Sequence, residues 1–169
     1  MRIVAGDLRG RRIIAPAGAR SRPTSARVRE AIFSMIGEAV QGAAVLDLFA
    51  GSGALGLEAL SRGAASADFV EAHPRPARTI RENLTALDLT ERGRVRRMSW
   101  EAALAADRRE GRLYGLVLLD PPYSLIPDIR SDIADALVPV LAADAVVVAE
   151  GPRADAGWPE LDLHRRDRR

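Results

Sequence analysis

The 169-residue sequence contains no cysteine, no lysine and only two histidines. Without cysteine there is neither a disulfide framework nor a thiolate metal site, and His73 and His164 cannot form a histidine-rich site by themselves. No stretch reaches the roughly 18 apolar residues of a membrane span, and the amino terminus lacks a signal-peptide core. We therefore expect a cytoplasmic protein that binds no metal and no membrane.

Basic charge is concentrated at the amino-terminal end. Residues 1–30 contain eight arginines and two acidic residues, a net charge of +6, while the remaining 17 arginines and 21 acidic residues give −4. A basic segment on an otherwise slightly acidic chain indicates a polyanionic partner that is bound at one end of the molecule.

The basic segment is predicted to be a small hairpin outside the main sheet. Residues 2–5 and 11–15 have the pattern of two short strands joined by a turn that Gly6 and Gly10 bound. We place the boundary of this hairpin and its linker at residues 1–23 and expect one compact α/β domain over residues 24–169. The arginines expected to contact nucleic-acid phosphates are Arg9, Arg11, Arg12, Arg22 and Arg27; the alternative is a solvated charged surface.

A helix should follow the linker, with Thr24 or Ser25 as its amino-terminal cap. Its apolar residues recur at helical spacing, which predicts a buried stripe that leaves Arg27 and Arg29 on the opposite face. The stripe residues are Val28, Ala31, Ile32, Met35 and Ile36.

From residue 45 onward, short apolar strands alternate with helical segments, a pattern typical of a doubly wound, mostly parallel sheet. The first strand leads into Gly51, Gly53 and Gly56, which satisfy G-x-G-x-x-G, and Glu71 follows Gly51 by twenty residues. Together with Asp47, this arrangement predicts a nucleoside cofactor at the carboxyl end of that strand.

Asp47 favours S-adenosylmethionine over a dinucleotide. A pyrophosphate at this helix start would be repelled by an extra acid, whereas S-adenosylmethionine carries a sulfonium and an ammonium and no phosphate. Glu71 is expected to accept hydrogen bonds from the ribose, and a side chain added at Gly53 is expected to obstruct the ligand. The predicted cofactor-binding residues are Asp47, Phe49, Ala50, Gly51, Ser52, Gly53, Gly56, Glu71, Ser99 and Trp100.

A second motif, Asp120-Pro121-Pro122-Tyr123, directly follows the fourth strand. The prolines remove two backbone donors, so the Asp120 carboxylate and the Pro121 carbonyl remain as acceptors for the two N–H groups of an exocyclic amine. The ring of Tyr123 can stack on the nucleobase that carries this amine. We predict that these four residues are catalytic, because acceptors that localise the amine lone pair prepare it for attack on a methyl group.

Three segments together resemble the RsmD-type bacterial 16S ribosomal RNA guanine-N2 methyltransferases. They are Arg22-Pro23-Thr24 with Arg27-Val28-Arg29-Glu30, the run from Asp47 to Gly63, and Asp120-Pro121-Pro122-Tyr123. The resemblance implies a Rossmann-like S-adenosylmethionine-dependent methyltransferase fold. It also implies methylation of the N2 amine of one 16S rRNA guanine, position 966 in conventional numbering, by a monomer acting on assembled small subunits. The family has a final strand after Leu-His-Arg, and here that strand is expected to be missing, which would weaken the sheet edge.

Other functions suit parts of this pattern. An adenine-N6 DNA methyltransferase would use the same Asp-Pro-Pro-Tyr motif, but the chain has no separate target-recognition domain. A nicotinamide-dependent dehydrogenase would account for the glycines but not for Asp47 or the second motif. A non-catalytic RNA-binding module would retain the basic hairpin without turnover.

Overall fold

The computed structural model describes residues 1–15, 25–122 and 124–150. Five parallel strands form one sheet in the order β3-β2-β1-β4-β5. The strands are β1 (Ala44–Asp47), β2 (Ser66–Val70), β3 (Gly93–Arg96), β4 (Tyr114–Leu119) and β5 (Leu141–Ala149). The helices are α1 (Ala26–Ile36), α2 (Ala54–Ser61), α3 (Pro74–Ala86), α4 (Trp100–Glu110) and α5 (Ile126–Leu137), with short 3-10 helices at Gly37–Val40 and Val138–Val140.

Helices cover both faces of the sheet, which confirms the predicted doubly wound architecture. Successive side chains along each strand point to opposite faces of the sheet, so alternate residues enter two separate cores. One core joins Val45, Phe69 and Leu116 to α1, α2 and α3, and the other joins Leu46 and Val117 to α4 and α5. Because both faces are buried, the strands are apolar runs rather than alternating ones.

The strand order reverses between β1 and β4. From β1 the chain proceeds outward through β2 and β3, then returns to place β4 on the other side of β1. Ligands of doubly wound sheets bind at the carboxyl ends of the strands beside such a reversal. The carboxyl ends of β1 and β4 carry Asp47 and Asp120, so the two predicted motifs meet at this point.

Helix α1 begins at the expected position but is rotated relative to the predicted stripe. The Ser25 hydroxyl caps it by accepting a hydrogen bond from the Val28 amide at 3.2 Å. Its buried residues are Arg29, Ile32, Phe33 and Ile36. The predicted burial of Val28, Ala31 and Met35 and the predicted exposure of Arg29 are therefore wrong: the first three are exposed, Met35 to 78%, whereas Arg29 is only 1% exposed.

The amino-terminal hairpin is a turn closed by one antiparallel bridge, between Arg2 and Arg12, rather than a pair of strands. Backbone hydrogen bonds on either side of the bridge hold the turn together, among them Ile3 N to Arg11 O at 3.0 Å. Ile3 and Ile13 are each 2% exposed and enter the core formed with α1, α2 and α3. We refer to residues 1–15 as the arm; the proposed domain boundary after residue 23 stays a prediction.

Candidate cofactor and substrate site

A glycine turn joins β1 to α2 at the carboxyl edge of the sheet. Gly51 and Gly53 have φ angles of 51° and 78°, in the left-handed region that side chains disfavour. The amide of Gly53 donates to the Ala50 carbonyl at 2.6 Å, so the turn is tight, and α2 begins at Ala54. The turn and the helix start predicted from the sequence lie beside the carboxyl ends of β1 and β2.

Asp47, the last residue of β1, is 1% exposed. Its Oδ2 accepts a hydrogen bond from the Gly56 amide at 2.9 Å, while Oδ1 accepts none within the described part of the chain. Burial chiefly raises the pKa of Asp47 to about 7; the charges of Asp120 and Glu71 contribute to this rise, and the Gly56 hydrogen bond opposes it. A cation beside Oδ1 would stabilise the charged form.

Glu71 follows β2 and lies against the glycine turn. Its Oε2 accepts a hydrogen bond from the Gly51 amide at 3.0 Å, and its Oε1 accepts one from the His73 amide at 2.7 Å. These bonds fix the carboxylate at the edge of the crevice. Each oxygen retains a further lone pair, so Glu71 can still accept a hydrogen bond from a ligand hydroxyl.

Asp120 directly follows β4 and is partly buried. It is close enough to Asp47 for its charge to raise that residue's pKa. Pro121 is buried and Pro122 exposed, and the Pro122 carbonyl accepts a hydrogen bond from the Leu125 amide at 2.8 Å. The turn after Asp120 therefore leads directly into α5, while Tyr123 lies outside the described residues.

Gly56 is needed for close packing, and Gly53 faces the neighbouring helix α3. A Cβ at Gly56 would lie 2.4 Å from Cε1 of Phe69, so only glycine lets α2 lie this close to β2. A Cβ at Gly53 would lie 3.2 Å from Ile80 of α3. The expectation that a side chain at Gly53 points toward a ligand is therefore wrong, since it would point into the protein; a Cβ at Gly51 would meet open space apart from the Phe49 carbonyl at 3.9 Å.

The remaining predicted cofactor residues lie along the same edge. Ser99 caps α4, its hydroxyl accepting a hydrogen bond from the Ala102 amide at 3.3 Å, and Trp100 is the first residue of that helix. Ala50 is buried, while Phe49 and Ser52 are partly exposed. Their positions after β1 and β3 are those expected of residues lining a crevice, and their contacts with a cofactor stay a prediction.

The predicted RNA-binding arginines that the structure describes are exposed. They are Arg9, Arg11, Arg12 and Arg27, whereas Arg22 lies outside the described residues. The Arg11 guanidinium donates to the Ala86 carbonyl at the end of α3, at 2.7 Å. Arg29, which the sequence placed beside Arg27, is instead buried and donates to the Arg2 carbonyl at 2.7 Å.

The sequence interpretation missed three buried polar residues that hold the arm. The Glu58 carboxylate accepts hydrogen bonds from the amides of Val4 and Ala5, at 2.8 and 2.9 Å. Ser61 donates to the Ala5 carbonyl at 2.6 Å, and Asn83 bonds both backbone groups of Ile14. The sequence feature that could have identified these three residues is that each is polar and lies on an otherwise apolar helix face. The arm is consequently anchored on α2 and α3.

The site suits S-adenosylmethionine better than a phosphate-bearing cofactor. Three carboxylates, those of Asp47, Glu71 and Asp120, lie close enough for their charges to interact, and one buried oxygen accepts no hydrogen bond in the described structure. A sulfonium and an ammonium would be attracted there, while a pyrophosphate would be repelled. Among the described residues, no group of histidine, cysteine, aspartate and glutamate could hold a metal ion.

Comparisons with known proteins agree with this chemistry. The sequence model of the family described as "Conserved hypothetical protein 95" matches residues 1–166. A Bacillus subtilis protein named "Putative rRNA methyltransferase YlbH" is 47% identical over 124 residues, which cover 73% of this chain and 67% of that protein. The Escherichia coli "Ribosomal RNA small subunit methyltransferase D" is 38% identical over 123 residues, 73% of this chain and 60% of the relative.

Among solved structures, the "Putative methyltransferase yhhF from Escherichia coli" superposes with a TM-score of 0.81 at 33% identity. The match covers 95% of this chain and 86% of that one. The fold is therefore the Rossmann-like methyltransferase fold that the sequence predicted. None of the helices in the described ranges is long and apolar enough to cross a membrane.

Proposed function

This chain belongs to the conserved hypothetical protein 95 family, that of the RsmD-type methyltransferases, and we propose that it is an S-adenosylmethionine-dependent methyltransferase of small-subunit ribosomal RNA. Its target is the N2 amine of a guanine in 16S rRNA, position 966 by the family resemblance. The observation that carries the proposal is the meeting of Asp47, Glu71 and Asp120 beside the reversal of the sheet.

The cofactor is held by the first two of these carboxylates. Oδ1 of Asp47, which accepts no hydrogen bond in the described structure, would accept one from the ammonium of the methionine part, and Glu71 would accept one from the ribose while its bond to Gly51 fixes the glycine turn. When bound, S-adenosylmethionine supplies an electrophilic methyl group on its sulfonium. The acidic edge lowers the free energy of this cationic ligand relative to an anionic one.

Asp120 prepares the nucleophile. The amine nitrogen of guanine is a poor nucleophile because its lone pair is delocalised into the ring, so hydrogen bonds that localise it increase its reactivity. The Asp120 carboxylate and the Pro121 carbonyl accept those bonds. With the cofactor bound, the nitrogen would form the new N–C bond as the methyl–sulfur bond breaks, and Asp120 would pass one amine proton to solvent.

The base must leave any stem to reach this site, because a paired guanine has its N2 amine engaged in the pair. The substrate is therefore a loop nucleotide or one flipped into the crevice. The anchored arm supplies phosphate contacts that are independent of the base. The protein acts in the cytoplasm, on small ribosomal subunits rather than on DNA.

Nucleoside mass spectrometry tests this proposal. The purified protein is incubated with labelled S-adenosylmethionine and either small subunits or free RNA from cells that lack the modification, and the RNA is then digested. We expect N2-methylguanine, and Asp120→Ala should reduce its rate of formation at least about a hundredfold while cofactor affinity changes little.

Asp132→Ala, at an exposed site on α5, is the matched control and should retain full activity. Formation of N6-methyladenine would refute the guanine assignment. Cofactor binding without methylation of any RNA or DNA would favour a binding module over an enzyme.

A further inference from the structure

Asn83 of α3 forms hydrogen bonds both to the arm and to the glycine turn. It is 1% exposed. Its Oδ1 accepts a hydrogen bond from the Ile14 amide at 2.8 Å, and its Nδ2 donates to the Ile14 carbonyl at 3.0 Å. The same Nδ2 donates to the Ser52 carbonyl in the glycine turn at 3.3 Å. One side chain thus joins the end of the arm to the cofactor turn.

The orientation of this amide is determined by its partners. An asparagine amide has two N–H donors and one acceptor oxygen, and here two carbonyls and one N–H face it. The reversed orientation would set its oxygen against two carbonyls and its NH2 group against an N–H. All three bonds therefore form together in one arrangement, and a shift of Ile14 disturbs the bond to Ser52.

Burial alone does not hold this end of the arm. The Ile14 side chain is 53% exposed, whereas Ile13 beside it is 2% exposed. The Asn83 bonds therefore place the Ile14 backbone, at the point from which the chain continues toward α1. Glu58 and Ser61 hold the arm as well, but on residues 4–8, and within the described ranges none of their bonds reaches the glycine turn.

We propose that Asn83 is a positioning residue that couples RNA binding on the arm to cofactor binding at the glycine turn. The inference rests on the proposed function, because it assigns RNA to the arm and cofactor to the turn. RNA bound to the anchored arm adds contacts that restrain Ile14 further and thereby stabilise the bond between Asn83 and the Ser52 carbonyl. The cofactor then binds to a turn that is already ordered, and by linkage the cofactor tightens RNA binding by the same factor.

Binding measurements on both ligands test the coupling without turnover. The affinity of S-adenosylhomocysteine is measured with and without unmethylated small subunits, and the affinity for the subunits with and without S-adenosylhomocysteine. We expect each ligand to tighten the other about fivefold or more in the unaltered protein, and Asn83→Ala to bring this factor close to one.

Ser61→Ala is the matched control, since it removes an arm anchor that does not touch the turn. It should weaken RNA binding but retain the coupling factor. Asn83→Asp is the second variant: its carboxylate can still accept from the Ile14 amide but cannot donate to Ser52, so it should also lose coupling. Absence of coupling in the unaltered protein, its retention in Asn83→Ala, or its equal loss in Ser61→Ala would overturn the proposal.

Amide hydrogen exchange separates a failure of this inference from a failure of the proposed function. In the ligand-free protein, Asn83→Ala should speed exchange both in residues 12–15 and in residues 50–53, whereas Ser61→Ala should speed it in the arm alone. If the protein binds neither ligand, the proposed function is refuted, and the exchange pattern still decides whether Asn83 links the two segments. Unchanged exchange in residues 50–53 of Asn83→Ala would show that it does not.

Discussion

Replacing Asp47 by asparagine should make the ligand-free protein more stable at alkaline pH and less able to bind its cofactor. Asp47 is buried, and Oδ1 accepts no hydrogen bond in the described structure. Burial raises its pKa from the usual 3.8 to about 7, so the folded protein binds this proton more tightly than the unfolded chain does. The free energy of unfolding therefore falls as the pH rises from about 4 to about 7 and is level above.

The magnitude follows from these two pKa values. The folded state holds nearly one more proton at Asp47 than the unfolded state at pH 5 and about half a proton more at pH 7, which lowers the free energy of unfolding by about 2 kcal/mol between these pH values and by about 3 kcal/mol by pH 8. Asparagine does not titrate, and its Oδ1 can still accept from Gly56. Its NH2 group, however, would take the place of the unbonded oxygen. A buried donor without an acceptor lowers the free energy of unfolding by about 1–3 kcal/mol at every pH.

Urea unfolding at pH 5 and pH 8 measures this balance. We expect Asp47→Asn and the unaltered protein to be nearly equal in stability at pH 5, and the variant to gain about 3 kcal/mol relative to it by pH 8. Calorimetric titration at pH 8 should show at least about tenfold weaker binding of S-adenosylhomocysteine, because the carboxylate no longer faces the ammonium. Asp132→Asn is the exposed control. A stability difference that does not change with pH would show that the pKa of Asp47 is not raised by folding.

The remaining predictions concern the arm and the packing of α2. Arg11→Ala and Arg12→Ala should each reduce the magnitude of the log–log salt slope of RNA binding by about 0.7 without changing cofactor affinity; unchanged slopes by filter binding would make the arm a solvated surface. Gly56→Ala should lower the thermal unfolding midpoint because its Cβ would lie 2.4 Å from Phe69, and an unchanged midpoint would count against the close approach of α2. Glu58→Ala should speed hydrogen exchange in residues 3–6 by releasing two backbone amides, which mass spectrometry can detect.

The sequence predicted the crevice because its residues lie in local patterns. Asp47 and Asp120 each follow an apolar run, and parallel strands place such positions at one edge of the sheet. Glu71 was found by its spacing from Gly51, and the structure joins the two by a hydrogen bond. Strand ends, glycine turns and helix caps depend on neighbouring residues, so they are visible without knowledge of the fold.

The sequence did not predict how the arm is held, because those contacts join residues that lie far apart along the chain. Ile14 and Asn83 are separated by 69 positions, and Val4 and Glu58 by 54. No local period encodes such pairs. Only the polarity of Glu58 and Asn83 on apolar helix faces indicated that each has a buried partner.

The rotation of α1 has a related cause. Ile32 and Ile36 belong both to the predicted stripe and to the observed one, so helical spacing alone could not distinguish the two. Long-range contacts determine which face of α1 is buried. Arg29 pairs with Glu58 at 3.9 Å, and the Arg62 guanidinium lies 4.9 Å from the centre of the Phe33 ring. Arg29 is buried where the prediction placed Met35, because the Arg2 carbonyl accepts a hydrogen bond from its guanidinium and the Glu58 carboxylate lies beside it.

A crystal structure of the complex with S-adenosylhomocysteine would show directly whether the cofactor lies at this edge of the sheet. We expect electron density over the turn from Gly51 to Gly53, with the ammonium within hydrogen-bond distance of Oδ1 of Asp47 and the ribose hydroxyls beside Glu71. The sulfur should face the Asp120 carboxylate across the crevice between β1 and β4. Density at another edge of the sheet, or an ammonium distant from Asp47, would contradict it.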